Sequence, residues 1–110
     1  MGDKREEVTT MVSRQIKRGH ELDYANWFGR LSEAIRKAPG FSGMSVIIPG
    51  KDPDARIVLY RFADAQSMED WENSPERKAL MVEVKKYATQ SYAKMGGMET
   101  WFHVPDVRSV

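Results

Sequence analysis

Two short runs in the middle of the chain, FSGMSVII over 41–48 and ARIVLYRF over 55–62, are apolar on both parities. In the first, Met44, Val46 and Ile48 stand on one parity and Ile47 on the other; in the second, Ile57 and Leu59 oppose Val58, Tyr60 and Phe62. Successive residues of a strand face opposite sides, so a sheet with one wet face alternates apolar with polar residues. These two strands therefore need cover on both faces. The segment PGKDPD between them is dense in turn formers, which makes the pair a hairpin.

The other elements fall on either side of that hairpin. VTTMVSRQIK, 8–17, is rich in β-branched residues, with Val8, Thr10, Val12 and Ile16 on one parity, and reads as the first strand. After the turn RGHE, Tyr24, Trp27, Phe28, Leu31, Ala34, Ile35 and Ala38 recur at three and four, the spacing of a helix with one buried stripe. Pro39-Gly40 ends it. Asp64 caps a short helix through Trp71, and Ser74-Pro75-Glu76 reads as a fresh start: an N-cap, a proline at the first helical position, an acid in the first turn. A proline deep inside one continuous helix would cost roughly 3 kcal/mol, so two segments are expected, the second running to about Ala88. Residues 89–96 are expected as a loop, and METWFHV, 98–104, as the fourth strand, closed by Pro105.

The order β-α-β-β-α-β is that of an α+β, ferredoxin-like fold: a four-stranded antiparallel sheet with both helical units on one face. The 110 residues are expected to form one domain, 1–110, with a core over about 8–104. No further element remains to cover the sheet's second face, so a second copy of the chain is expected there, as a homodimer.

Seventeen basic against sixteen acidic residues give a net charge of +1, and no field that would draw in nucleic acid or a membrane surface is expected. Cysteine is absent, which excludes disulfides, thiolate nucleophiles and thiolate metal sites. The two histidines, His20 and His103, have no ligand-like spacing, so no metal site is expected. Neither glycine-rich nucleotide motif occurs, and the charged start MGDKREEV lacks the apolar core of a signal peptide; the chain reads as cytoplasmic.

TTMVSRQIKRGHELDYANWFGRL, APGFSGMSVIIP, VLYRF, DWENSPERKAL and METWF, in that order, resemble the antibiotic biosynthesis monooxygenase-like family of small dimeric α+β barrel proteins. The resemblance spans about residues 8–104. It implies a homodimer whose sheets face each other, with a pocket in each subunit between sheet and helices. It also implies one of several activities: cofactor-free oxygenation of phenolic or hydroquinone substrates, haem degradation, or none known. For haem degradation, Trp71 has its counterpart, but Met81 stands where that branch has its ligating histidine and Val12 where it has an asparagine. That activity is not expected.

A cofactor-free oxygenase must take a proton from its substrate, stabilise the anion and exclude water. No cofactor is needed, and a small aromatic, phenolic or quinol compound is the expected substrate. His103 is the candidate base; the alternative is a histidine at the surface or interface. Tyr60 adds a hydroxyl that can orient or donate. Arg14, on the parity of Val12 and Ile16, either holds the oxyanion or serves a structural ion pair. Trp27, Trp71, Phe102 and Tyr60 offer flat walls for an aromatic ring, or else pack the core; Trp71 is placed by the helix break, where a gap between helix and sheet is expected. Asn26 either reaches the pocket mouth or lies on the solvated side of its helix. The contrasting class is a binding protein that keeps the dimeric barrel without chemistry.

Overall fold

A computed structural model describes residues 6–95. The elements follow in the order β1 (Val8–Ile16), α1 (Glu21–Arg36), β2 (Phe41–Ile47), β3 (Ala55–Phe62), α2 (Ala65–Glu72), α3 (Pro75–Val84) and β4 (Ala88–Met95). The four strands form one antiparallel sheet in the order β2-β3-β1-β4, the α+β ferredoxin-like arrangement read from the sequence.

One expectation is corrected. Residues 89–95 are strand, not loop: β4 pairs with β1 from Thr9↔Met95 to Ile16↔Ala88. The sequence ATQSYAKM carries little apolar alternation because β4, at the sheet's edge among the described residues, pairs through main-chain groups with β1. The segment 98–104 lies outside the described residues. The second helical segment is also shorter than expected, ending at Val84.

Register puts the even residues of β1 and β3 on one face, with Val12 opposite Val58 and Thr10 opposite Tyr60. That face carries the core: Val12, Ile16, Val58, Tyr60 and Phe62 pack against Tyr24, Trp27, Leu31 and Ile35 of α1, Met68 and Trp71 of α2, and Val84 of α3. α1 is tied to α3 at two points. Trp27 donates its indole N–H to the Leu80 carbonyl at 2.8 Å, and Arg30 forks onto both carboxylate oxygens of Glu83 at 2.8 and 2.6 Å.

The caps explain the break between α2 and α3. Asp64 accepts from the Ser67 N–H, fixing the start of α2. The Ser74 hydroxyl accepts from the Arg77 N–H to start α3 and donates to the Trp71 carbonyl at the end of α2. One side chain thus closes one helix and opens the next.

Gly40, which links α1 to β2, has φ +85°, and a Cβ there would overlap the Ser67 side chain on α2. Gly40→Ala should therefore lose more than the roughly 1–3 kcal/mol of a left-handed backbone alone. Adding Ser67→Gly should recover the steric part, measured by urea denaturation; equal losses with and without it would leave only the backbone term.

The Arg30 hydrogen bonds hold the Glu83 carboxyl down at about 2 from its ordinary 4.5. A depressed carboxyl adds stability that is full above its unfolded pKa and is lost as pH falls through the folded one. Arg30 is 54% exposed, so water screens the pair and the effect is small. Glu83→Gln should give a shallower loss of stability than the parent between about pH 4.5 and 2 in a denaturation series.

Candidate functional site

On the helix-covered face, between the sheet and the bend from α2 to α3, lies a pocket lined by Thr10, Val12, Arg14, Tyr60, Trp71 and Met81 among others. Its cavity volume is only about 20 Å³, room for about one water molecule. It is narrow, and an aromatic ring enters it only if lining side chains move. Met68 and Met81, both in the wall, are the side chains best suited to that.

Strand parity brings Arg14 here. Its even position on β1 turns the guanidinium to the helix side, where it is 3% exposed. Arg14 Nε donates to the Gln90 side-chain carbonyl at 2.7 Å, and its Nη1 and Nη2 approach the hydroxyls of Tyr24 and Tyr60, each at 3.4 Å. The Trp27 ring lies against the cation, 4.7 Å from the Arg14 Cζ to its centroid. Every one of these partners is neutral. The ion pairs among the described residues are His20–Asp23, Arg30–Glu83 and Arg36–Glu33, and Arg14 belongs to none of them.

Burial disfavours the Arg14 charge, but the Tyr60 and Tyr24 hydroxyls outweigh it and move the pKa above its ordinary value. The guanidinium is charged at every working pH. Burial likewise pushes the Tyr60 phenol up, against the opposing pull of Arg14. At neutral pH Tyr60 is thus an uncharged phenol that can donate a hydrogen bond.

A polar chain leads outward from Arg14 along β4. With its carbonyl engaged by Arg14, the Gln90 amide turns its Nε2 to the Tyr92 hydroxyl at 2.9 Å, and Tyr92 donates to the Met81 sulfur at 3.2 Å. Arg77 approaches the same hydroxyl at 3.4 Å. On the opposite wall Thr10 donates to the Met68 sulfur at 2.9 Å.

Of the residues singled out from sequence, Arg14, Tyr60 and Trp71 come together in this pocket. Trp27 is fully buried behind it and touches the site through Arg14. Asn26 is exposed on α1 and is not among the lining residues. Phe102 and His103 lie outside the described residues. Gln90, Tyr92 and the Tyr24 hydroxyl were not foreseen; for the first two the missing signal was β4 itself, since Gln90 faces Arg14 only through strand pairing. Among the described residues no three histidine, aspartate or glutamate side chains gather as a metal site, and no helix is long and apolar enough to cross a membrane.

The sequence model for antibiotic biosynthesis monooxygenase matches residues 8–83, from β1 almost to the end of α3. The chain belongs to that family. No curated protein sequence matches the chain significantly. Among solved structures it is similar to the N63A mutant of SnoaB, a cofactor-independent oxygenase from Streptomyces nogalater, at TM-score 0.78 and 13% identity, covering 84% of this chain and 94% of that one. It is also similar to a putative antibiotic biosynthesis monooxygenase from Nitrosomonas europaea, at TM-score 0.75 and 11% identity over 89% and 96% of the two chains. A Bacteroides thetaiotaomicron protein of unknown function, described as a possible oxidoreductase, gives 0.75 and 10% over 84% and 99%. At these identities the likeness establishes the fold. Val12, Trp71 and Met81, the three positions compared with the haem-degrading branch, all line the one pocket, and neither Val12 nor Met81 supplies an imidazole or an amide there.

The neutral surroundings of Arg14 predict an unusual mutational signature. Removing one partner of a buried ion pair costs about 3–5 kcal/mol, whereas leaving a buried neutral group without its hydrogen-bond partner costs about 1–3 kcal/mol. Arg14→Met should therefore lower unfolding free energy by less than about 3 kcal/mol. A larger loss by urea denaturation would assign Arg14 to holding the fold.

Proposed function

We propose that this protein is a cofactor-independent monooxygenase acting on a small phenolic or quinol compound bound in the pocket between β1, β3 and the α2–α3 bend. The single observation that carries the reading is a buried guanidinium beside a neutral phenol in a pocket walled by Trp71, Tyr60 and Phe62. Membership of the family and the likeness to a cofactor-independent oxygenase support it.

The chemistry requires little of the protein. A phenolate is electron-rich enough to pass an electron to dioxygen directly. One oxygen atom then joins the organic product, and the other leaves as water with two hydrogens taken from the substrate, so no external reductant is consumed. Arg14 stabilises the substrate oxyanion and Tyr60 donates to it or orients it, both strongest where water is excluded. Trp71 is the face on which the ring stacks, and Trp27 supports the Arg14 guanidinium from behind. His103 is proposed as the base that takes the first proton, and Phe102 as a further wall; both come from the sequence alone.

We further propose a homodimer built on the sheet face away from the helices. Odd positions carry Met11 opposite Leu59, with Ile57 and Ile47 alongside, and Ile47 is 45% exposed. Such a stripe suits the same stripe of a second copy. Light scattering after gel filtration should find twice the chain mass at micromolar concentration, and a folded monomer would remove the dimer.

The contrasting reading, binding without turnover, is favoured by one observation: no histidine is among the described residues that line the pocket. Oxygen uptake separates the two. With simple hydroquinones the parent protein should consume oxygen above the uncatalysed rate, Tyr60→Phe should lose about tenfold or more, and His103→Ala about 10²-fold. No uptake above background for any phenolic or quinol substrate leaves the binding reading.

A further inference from the structure

We infer that the pocket takes an aromatic ligand bearing a carboxylate, and that the Arg14 guanidinium with the Tyr60 hydroxyl is the carboxylate subsite. The inference rests on the pocket being the ligand site, as proposed above, but not on turnover.

The case begins with charge. A buried guanidinium gives up its hydration, and around Arg14 only neutral groups replace it. Around Arg14 those partners are an amide carbonyl, two phenol hydroxyls and an indole face, and no carboxylate pairs with it among the described residues. The two phenol contacts, at 3.4 Å, are longer than a good N–H···O bond. Among the described residues, only the Nε member of the fork's five N–H groups is tightly held. The Nη edge keeps donor capacity, and Arg14 lines the pocket. A planar fork of N–H donors matches the two oxygens of a carboxylate better than the single oxygen of a neutral phenol.

The polar chain on β4 has the sense such a subsite requires. Gln90 accepts from Nε and so locks the plane of the guanidinium, and its own amide is held in turn by Tyr92. Arg77, also in the pocket wall, adds a second cation, and Glu72 a carboxylate, so the described wall keeps a net positive charge. Trp71, Phe62 and Leu31 supply apolar wall in the same pocket, against which a ring could pack once Met68 and Met81 give way.

Benzoate and benzamide test this, because they are alike in shape and differ in charge. Titrated into the whole protein at pH 7 and low salt, with tryptophan fluorescence and calorimetry as readouts, benzoate should bind saturably and at least about tenfold more tightly than benzamide. Arg14→Met should abolish the preference, and Arg14→Lys, which keeps the charge but not the fork, should retain only part of it. If Arg14→Met does not fold, the ratio of the two ligands on the parent decides alone, with Tyr60→Phe expected to narrow it. Equal binding of the two ligands, a preference unchanged in Arg14→Met, or no saturable binding of benzoate at millimolar concentration each overturns the inference. Oxygen uptake from quinols without acid preference would sink this inference and leave the proposed function standing, and acid binding without uptake would do the reverse.

Discussion

A positive charge on the buried parity of a central strand is the constraint around which the rest of this protein is arranged. β1 lies between β3 and β4, so its even residues have no route to water except through the helix layer. Val8, Val12 and Ile16 suit that position; Arg14 does not, and its neighbours compensate. β3 supplies the Tyr60 hydroxyl, α1 the Tyr24 hydroxyl and the Trp27 face, and β4 the Gln90 carbonyl. Three elements distant in sequence converge on one guanidinium. A methionine in its place would spare all of them, which is the physical reason to look for the purpose of Arg14 in the pocket it lines rather than in the fold.

The opposite wall depends on Ser74. A continuous helix from Ala65 to Val84 would run straight across the sheet, whereas the Ser74 hydroxyl, donating backward to Trp71 and accepting forward from Arg77, ends one helix and begins another within three residues. Trp71 falls in the last turn of α2, directly before the bend, and is 7% exposed. Its ring therefore belongs both to the core cluster and to the pocket wall. Core and site are not alternatives for such a residue, and the choice between them framed from the sequence does not arise.

Most of the architecture was legible because it rests on strong local signals. The periodicity of Tyr24, Trp27, Leu31 and Ile35 fixed α1, the β-branched runs fixed β1 and β3, and Asp64, Ser74 and Pro75 marked both helix starts in the second half. Arg14 stood out for the same reason, as a charge on an apolar parity. β4 was illegible because an edge strand needs neither apolar alternation nor strong propensity when a partner strand offers its main-chain groups. That one gap concealed Gln90 and Tyr92, whose roles follow from register rather than from residue type. The Tyr24 hydroxyl was hidden differently: at 4% exposure the residue was read correctly as core, and nothing in a helical period says where the polar tip of a buried tyrosine points.

Strand parity also separates two faces built from the same few strands. Along β3, Leu59 faces away from the helices, Tyr60 faces the pocket and Arg61 faces away again, where it reaches Ser45 at 3.2 Å. Along β1, Met11 and Ser13 face away while Thr10, Val12 and Arg14 line the pocket. The helix-covered face thus carries the core and the pocket, and the other face carries Met11, Ile57 and Leu59, the last already 5% exposed. Because the two sets alternate along strands that pair directly, neither face can shift register without turning the other inside out.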